Sequence, residues 1–400
     1  LFLPYRELGL VIVDEEHETG FKQHDPAPRY HARDAAIYLA LQSGAKVLLG
    51  SATPSLEAYS RAKSGKFGYS SIETRYGGIQ MPDIVIADLR RETRSKSMKS
   101  HFSSTLFESI RESLEKKEQV ILFQNRRGFS PRIECEVCNW LPGCHQCDVS
   151  LVYHKKINKL RCHYCGSTSG PPSECPSCGS SKLRMKGFGT EKIEEELPVF
   201  FPDAVVARMD LDTTRSKNAY RRIIEDFENG RIDILVGTQM ISKGLDFDNV
   251  GVVGILNADN MLNFPDFRSH ERAYQLMAQV SGRAGRSRKR GKVIIQTYRP
   301  EHPVIKQVTS NNYEAMFSKQ MEERRQFNYP PFSRLIMISL LHKDEELLSE
   351  AAVFLADKLR SLFPGMVLGP EYPVVSRIRN QYIKNILVKL KPGPGLSDNK

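Results

Sequence analysis

All eight cysteines of the 400-residue chain fall between Cys135 and Cys178, as four Cys-x-x-Cys pairs: Cys135/Cys138, Cys144/Cys147, Cys162/Cys165 and Cys175/Cys178. A segment so short cannot bury a sufficient apolar core, so cross-links must hold it. A Cys-x-x-Cys turn sets two thiolates on one side of a tetrahedral zinc, and two such turns complete a structural site. Eight ligands therefore call for two Zn2+. A disulfide framework suits a small secreted domain, whereas this chain is long and carries no basic-then-apolar leader. Redox dithiols and free thiols are the remaining alternatives.

Four knuckles pair in three ways. Fourteen residues separate Cys147 from Cys162, close to the spacing of a two-hairpin ribbon, and Cys135/Cys138 with Cys175/Cys178 would then close the base of the same excursion. Adjacent pairing would leave only five residues between the first two knuckles. Nested pairing is the expectation. His145 and His163 neighbour ligands, but with eight thiols available they are expected to be solvated neighbours.

The length implies two to four domains at roughly 100–200 residues each. Hydrophobic residues at 40% and charged residues at 26% suit a globular chain. No apolar run approaches the roughly 18 residues of a spanning helix, so no membrane role is expected. The formal charge of +11 points to a polyanionic partner. The charge is patched: residues 126–186 carry ten basic and four acidic side chains, and residues 281–299 seven basic and no acidic ones.

Short apolar runs ending in polar turns read as buried parallel strands. Leu10–Val13 runs into Asp14-Glu15-Glu16-His17, Lys46–Leu49 runs into Gly50-Ser51-Ala52-Thr53, and helical spacing at Ala32–Leu41 lies between them. The pattern resumes at Val120–Phe123, Val205–Met209, Ile232–Val236, Val250–Leu256 and Val293–Thr297. Helices are expected at Glu191–Phe200, with Thr190 as its cap, and at Tyr220–Glu228. The fold class is thus α/β, with the cysteine module interrupting the second α/β block after its first strand. Residues 90–104, rich in Ser, Arg and Lys, read as a linker. Helices around Tyr313–Arg325 and Glu345–Phe363 and a strand at Leu335–Leu341 make a small C-terminal α+β domain. The expected divisions are 1–89, 90–104, 105–134 with 184–300, 135–183, and 301–400.

Asp14 and Glu15 stand at the carboxyl edge of a strand, where α/β sheets bind ligands. There one carboxylate could hold Mg2+ and the other activate a water. A charged turn is the alternative. Ser51-Ala52-Thr53, Gly237-Thr238-Gln239 leading to Lys243-Gly244-Leu245-Asp246, and Gln279-Val280-Ser281-Gly282-Arg283-Ala284-Gly285-Arg286 follow in order. Together they resemble the motor motifs of superfamily 2 helicases, built on two RecA-like lobes. Four Cys-x-x-Cys pairs inserted after the second lobe's first strand resemble the PriA (primosomal protein N′) family of replication-restart helicases. The strings DEEHETGFKQHDPAPRYHARD, GSATPS, GFGTE, VGTQMISKG, QVSGRAGR, FPDFRSHER and PEHP match its pattern.

The resemblance implies a partial first lobe, a second lobe carrying the double zinc module, and a truncated C-terminal domain. It implies ATP and Mg2+ as further cofactors, with Asp14, Glu15, His17, Gly244, Asp246, Arg283 and Arg286 at the nucleotide, and Glu15 as the base. Arg283 and Arg286 would reach the γ-phosphate, positioned by Gln279; a basic surface patch is the alternative. Phe21, Lys22, Arg29, Tyr30, Thr53, Thr238, Gln239 and Lys243 would contact or couple to DNA, aromatic rings stacking bases and hydroxyls, amides and N–H groups holding phosphates. For residues 21–33 a plain surface loop is the alternative. The zinc module, within the net +6 stretch of residues 126–186 and with the lone Trp140, would separate strands or dock partners beyond its structural role.

The implied function is an ATP-dependent 3′-to-5′ DNA helicase that recognises stalled or branched forks and initiates primosome assembly. Its implied partners are branched and single-stranded DNA, other primosome proteins and single-stranded DNA-binding protein. A monomer in the bacterial cytoplasm, at the nucleoid, is expected. An RNA helicase or RecG is the other motor reading, against which the zinc insertion argues, and a non-catalytic zinc-ribbon scaffold is the alternative outside enzymes. No Gly-x-x-x-x-Gly-Lys-[Ser/Thr] phosphate loop occurs in the 400 residues. It is expected upstream of Leu1, with DNA-end-binding and winged-helix domains, which would leave this chain alone a poor ATPase.

Overall fold

A computed structural model describes residues 3, 5–72, 74, 80–124, 132–135, 137–138, 140–154, 158–162, 164–186, 189–211, 213–214, 216–242, 247–264, 266–285 and 290–391. The chain opens with strand β1 (Leu10–Val13), helix α1 (Ala32–Gln42), strand β2 (Lys46–Leu49) and helix α2 (Leu56–Lys63). β1 and β2 pair in parallel from Leu10↔Lys46 to Val13↔Leu49, with α1 as the crossover of a β-α-β unit. Ser55 caps α2, its Oγ accepting from the Ala58 amide.

Next come β3 (Asp83–Asp88), α3 (Leu89–Arg94), α4 (Ser104–Glu115) and β4 (Gln119–Phe123). The cysteine module holds β5 (Arg132–Cys135), β6 (Val152–His154), β7 (Lys159–Arg161), β8 (Thr168–Ser169) and β9 (Leu183–Lys186). The chain then returns through α5 (Thr190–Phe200), β10 (Val206–Met209), α6 (Lys217–Glu228), β11 (Ile234–Gly237), β12 (Val250–Ile255), α7 (Asp259–Leu262), α8 (Ser269–Ser281) and β13 (Lys292–Thr297). Six strands form one parallel sheet in the order β10-β11-β4-β12-β13-β3.

Period-two alternation divides this core. Val120 and Leu122 face Leu106 and Ile110 of α4 and Ile193 and Leu197 of α5 on one side of the sheet. Ile121 and Phe123 face Phe227 of α6 and Met277 and Val280 of α8 on the other. Each fully buried side chain of this size contributes about 1.5–3 kcal/mol. A helix on each face is what lets central strand β4 be apolar at consecutive positions.

Three details differ from the sequence reading. Residues 83–88, placed with the first lobe, form the edge strand of the second lobe's sheet, pairing Asp83↔Lys292 through Asp88↔Thr297. The expected linker is partly ordered: Asp88 caps α3 by accepting from the Arg90 amide, and Lys99 bridges Phe102. Gly189, not Thr190, is the N-cap of α5, because the Thr190 hydroxyl donates to Asp210 at 2.6 Å instead.

The chain ends with α9 (Pro303–Thr309), α10 (Tyr313–Gln326), β14 (Arg334–His342), α11 (Glu345–Leu362), β15 (Val367–Glu371), β16 (Arg377–Ile378) and β17 (Gln381–Leu390). Val304, Ile305, Val308 and Met316 of α9 and α10 join the second lobe's core, so the independent C-terminal unit is the later sheet with α11. That sheet runs β14-β17-β15, antiparallel, with β16 also on β17.

A buried charge cluster fastens α10 to both lobes. Arg324, only 1% exposed, donates to Glu57 of α2 at 3.0 Å and to Glu271 of α8 at 2.5 Å. Arg268 donates to Glu57 at 2.6 Å, and the Leu56 amide donates to Glu271 at 2.9 Å. Burial pushes Glu57 up, but Arg268 and Arg324 outweigh it and hold it below the ordinary carboxylate range. Burial, reinforced by Glu57, pushes Glu271 up. The cluster works only as a set, since removing one partner strands the others' charge in the interior. Arg324→Ala is therefore expected to cost roughly 3–5 kcal/mol. Urea unfolding followed by hydrogen exchange in α10 and α2 measures it, and a cost below about 1 kcal/mol would contradict the reading of this contact.

Candidate motor cleft and zinc module

The Asp14–His17 turn begins where β1 ends. Asp14 Oδ1 accepts from the Glu15 amide at 2.9 Å, and Glu15 takes a left-handed backbone, φ 47°. The Glu16 amide donates to the Gly50 carbonyl at 3.1 Å, which holds this turn beside the one after β2. His17 Nδ1 lies 2.7 Å from Ser51 Oγ and 3.5 Å from Glu15 Oε2. Ser51 Oγ also accepts from the Thr53 amide at 3.0 Å.

Glu16 is the residue whose role sequence reasoning missed. Its side chain is buried at 1% exposure. Oε2 accepts from Arg33 at 2.8 Å and from the Ser55 hydroxyl at 2.9 Å, and Oε1 from the Ser55 amide at 2.5 Å. Burial works against the Arg33 charge, but Asp34 and Glu16 outweigh it and hold its pKa above the usual arginine value. The signal was present as the third acidic letter of the motif, but a string does not tell which carboxylate points inward.

Residues 21–33 fold against this support. A 3-10 turn at Thr19–Phe21 leads to a bridge between Lys22 and His31, and the Gln23 amide donates to the Tyr30 carbonyl at 3.0 Å. Lys22 donates to the Arg29 carbonyl. Arg29 is exposed, while Phe21, Lys22 and Tyr30 are half-buried. The segment is a small hairpin tied through Arg33 to Glu16.

The second lobe meets these turns along α8. Gln275 Nε2 donates to the Thr53 and Pro54 carbonyls at 3.2 Å each, and the Tyr313 hydroxyl donates to Pro54 at 2.6 Å. Thr53 is 7% exposed and therefore sits inside the interlobe contact. His17 from the first lobe, and Gln239 and Gln279 from the second, line one cleft with Arg272 and Asn260. Gly237 permits the sharp turn before Thr238 and Gln239, because a Cβ there would meet Ile241 Cγ2 at 2.4 Å and the Met209 carbonyl at 3.0 Å. Arg283, 7% exposed, lies just past the C-terminal end of α8. Lys243, Gly244, Asp246, Arg286 and His163 lie outside the described residues.

In the cysteine module the pairing is nested. The four Sγ atoms of Cys135, Cys138, Cys175 and Cys178 lie within 4.8 Å of one another, as do those of Cys144, Cys147, Cys162 and Cys165. Cys135–Cys178, Cys138–Cys175 and Cys144–Cys165 Sγ separations are each 3.6 Å. Zinc–sulfur bonds of ~2.3 Å in a tetrahedron set Sγ atoms roughly 3.8 Å apart, so both sets fit Zn2+. β5 pairs antiparallel with β9 at the base, and β6-β7-β8 carry the inner cluster. Ser167 donors draw the Cys165 thiol down to about 6, whereas burial pushes Cys147 up to about 12.

Three family models match the chain. They are the PriA DNA helicase Cys-rich region domain at residues 144–169, the helicase conserved C-terminal domain at 191–288, and the primosomal protein N C-terminal domain at 325–399. The replication restart protein PriA of Bacillus subtilis (strain 168) is 42% identical over 99% of this chain and 49% of its own length. The PriA of Synechocystis sp. is 41% identical over 97% of this chain and 48% of its own, and that of Haemophilus influenzae 39% over 97% and 53%.

Parallel sheet, interlobe motif contacts and two four-cysteine clusters define a helicase-type protein of RecA-like lobes with a zinc-ribbon insertion. Within that class, the chain belongs to the PriA family. It spans about half the length of the curated relatives it matches.

Metal analysis is expected to return about two zincs per chain, and about one after Cys162→Ser, because the outer cluster shares no ligand with the inner. Loss of both ions in a folded variant would contradict separate sites.

Proposed function

We propose that the full-length protein is an ATP-dependent, Mg2+-using 3′-to-5′ DNA helicase that recognises stalled or branched replication forks and initiates primosome assembly. Family membership supports this, and the observation that carries it is the meeting of first-lobe His17 with second-lobe Gln239 and Gln279 across one cleft, beside Asp14 and Glu15. A cleft built from both lobes changes shape when they move, which lets chemistry and movement share one coordinate.

Hard carboxylate oxygens at the end of β1 suit Mg2+, and Asp14 is exposed there. ATP, when bound with Mg2+, supplies the phosphoryl group. Asp14 would hold the cation, Glu15 Oε2 would take a proton from a water, and His17, held by Ser51, would orient Glu15. Arg283 and Arg286 would offset charge on the phosphate, positioned by Gln279, and Gly244 and Asp246 would complete the nucleotide contacts.

Phe21, Lys22, Arg29 and Tyr30 grip DNA, joined by Lys243, Thr238 and Gln239, and Thr53 relays between lobes from its buried place. Glu16 carries the coupling, because it sits in the turn that bears Glu15 and its one carboxylate holds Arg33, at the end of the segment that grips DNA, and Ser55 after β2. The +11 charge favours branched and single-stranded DNA. Other primosome proteins and single-stranded DNA-binding protein are its partners, and it acts as a monomer at replication forks in the bacterial nucleoid.

ATP hydrolysis by the full-length protein with and without forked DNA tests this. DNA-stimulated turnover is expected in the wild type and a fall of about 100-fold or more in Glu15→Gln. Equal silence of both proteins, folded and zinc-loaded, would overturn the motor and leave a zinc-ribbon DNA-binding scaffold.

A further inference from the structure

We infer that the β16–β17 hairpin of the C-terminal domain is an integral part of the inner zinc site, holding its thiolates against metal loss. The Arg379 amide donates to Cys147 Sγ at 3.3 Å, although the two residues lie far apart in sequence. The Asn380 amide donates to the Gln146 carbonyl at 2.9 Å, and the Asp148 amide to the Arg377 carbonyl at 3.0 Å. The hairpin therefore clasps the backbone of the Cys144–Cys147 knuckle on both sides of its ligand. Asp148 fixes the clasp, accepting from the Ser376 hydroxyl at 2.5 Å and from Arg377 Nε at 3.2 Å. Ile378 packs on the cluster of Cys144, Cys147, Leu151, Leu160 and Cys162.

The turn is shaped for this contact. Arg379 and Asn380 both have positive φ, 51° and 59°, the two-residue connection that matches the twist of a tight hairpin. That conformation places successive N–H groups along one side of the turn, where they reach the knuckle. Four thiolates around Zn2+ leave the site with two net negative charges, and an N–H aimed at sulfur offsets part of that charge. Local donors also serve the inner cluster: the Gln146 amide reaches Cys144 Sγ at 3.4 Å, and Ser167 Oγ lies 3.1 Å from Cys165 Sγ. Among the described residues, the Arg379 donor is the one that comes from another domain.

The two sites differ accordingly. In the outer cluster Cys138 and Cys178 are exposed, and its backbone donors Val137, Cys138 and Ser180 belong to its own knuckles. Each cluster has deeply buried ligands, Cys135 and Cys175 in the outer and Cys147 and Cys162 in the inner, but no inner ligand is fully exposed, Cys165 being half-buried, and the hairpin lies over Cys147. Metal in the inner site and docking of the C-terminal domain thus support each other, since each fixes the geometry that the other needs. The outer site has no share in this linkage among the described residues, so it exchanges its metal first.

The full 400-residue chain, loaded with zinc, is placed in excess chelator with N-ethylmaleimide, and mass spectrometry follows the label on each cysteine with time. In the wild type the outer cysteines are expected to label ahead of Cys144, Cys147, Cys162 and Cys165. Arg379→Pro removes the N–H and also forbids the positive φ at that position, so it undoes the turn as a whole, whereas Asp148→Ala removes the anchor while leaving the hairpin backbone unchanged. In both, inner-cluster labelling is expected to accelerate about 10-fold or more, with outer-cluster rates within about twofold of wild type. Wild-type labelling of the inner cluster first, unchanged inner rates in both variants, or equal acceleration of both clusters would each overturn the inference.

Discussion

The buried carboxylate of Glu16 is the point on which the first lobe's working surface depends. One side chain accepts from Arg33 at the head of α1 and from the Ser55 amide and hydroxyl at the head of α2. Those bonds join three stretches that the chain keeps apart: the acidic turn after β1, the aromatic and basic hairpin of residues 21–33, and the turn after β2. A carboxylate removed from water is tolerated only where such donors replace the lost hydration. Because both carboxylate oxygens are committed, none of the three stretches moves without disturbing the others.

From there the connection crosses to the second lobe through backbone atoms. Gln275 holds the Thr53 and Pro54 carbonyls, and Glu271 holds the Leu56 amide. Both sit on α8, the helix that ends beside Gln279 and Arg283. Arg324 adds α10 to the same joint, over a Phe267 ring stacked on Tyr329 at 4.4 Å. The segment around Phe267, Arg268 and Glu271 thus fastens the C-terminal part of the chain to the lobes. At the other end of that part, the β16–β17 hairpin reaches the inner cysteine cluster, so the C-terminal part touches both the lobe joint and the zinc module.

Much of this was legible in the sequence because it depends on local rules. Apolar runs ending in polar turns marked β1, β2, β4 and β10–β13, and ligand spacing pointed to the nested zinc pairing. What escaped depends on tertiary context. Nothing local tells that residues 83–88 pair with β13, because an edge strand beside a linker looks alike in either lobe. α9 reads as part of the last domain until its Val304 and Ile305 are seen in the second lobe's core. Glu16 and Glu57 look like solvated acids in a string, since burial with a distant arginine leaves no mark on neighbouring letters. Arg379 and Asn380 carried no sign of a zinc contact, as the functional group is a backbone N–H common to nearly every residue.

The central claim is that residues 21–33, proposed to grip DNA, and the turn bearing Glu15, proposed to activate water, are physically one unit because Glu16 of that turn holds Arg33. The most direct measurement is the ratio of ATP turnover with forked DNA to turnover without it, in full-length wild type and Glu16→Gln. The substitution keeps size and one acceptor but removes the charge that pairs with Arg33. The account predicts DNA-independent turnover close to wild type and a stimulation ratio reduced by about tenfold or more, the loss expected for about 1.4 kcal/mol of coupling. An unchanged ratio in the folded variant would contradict it.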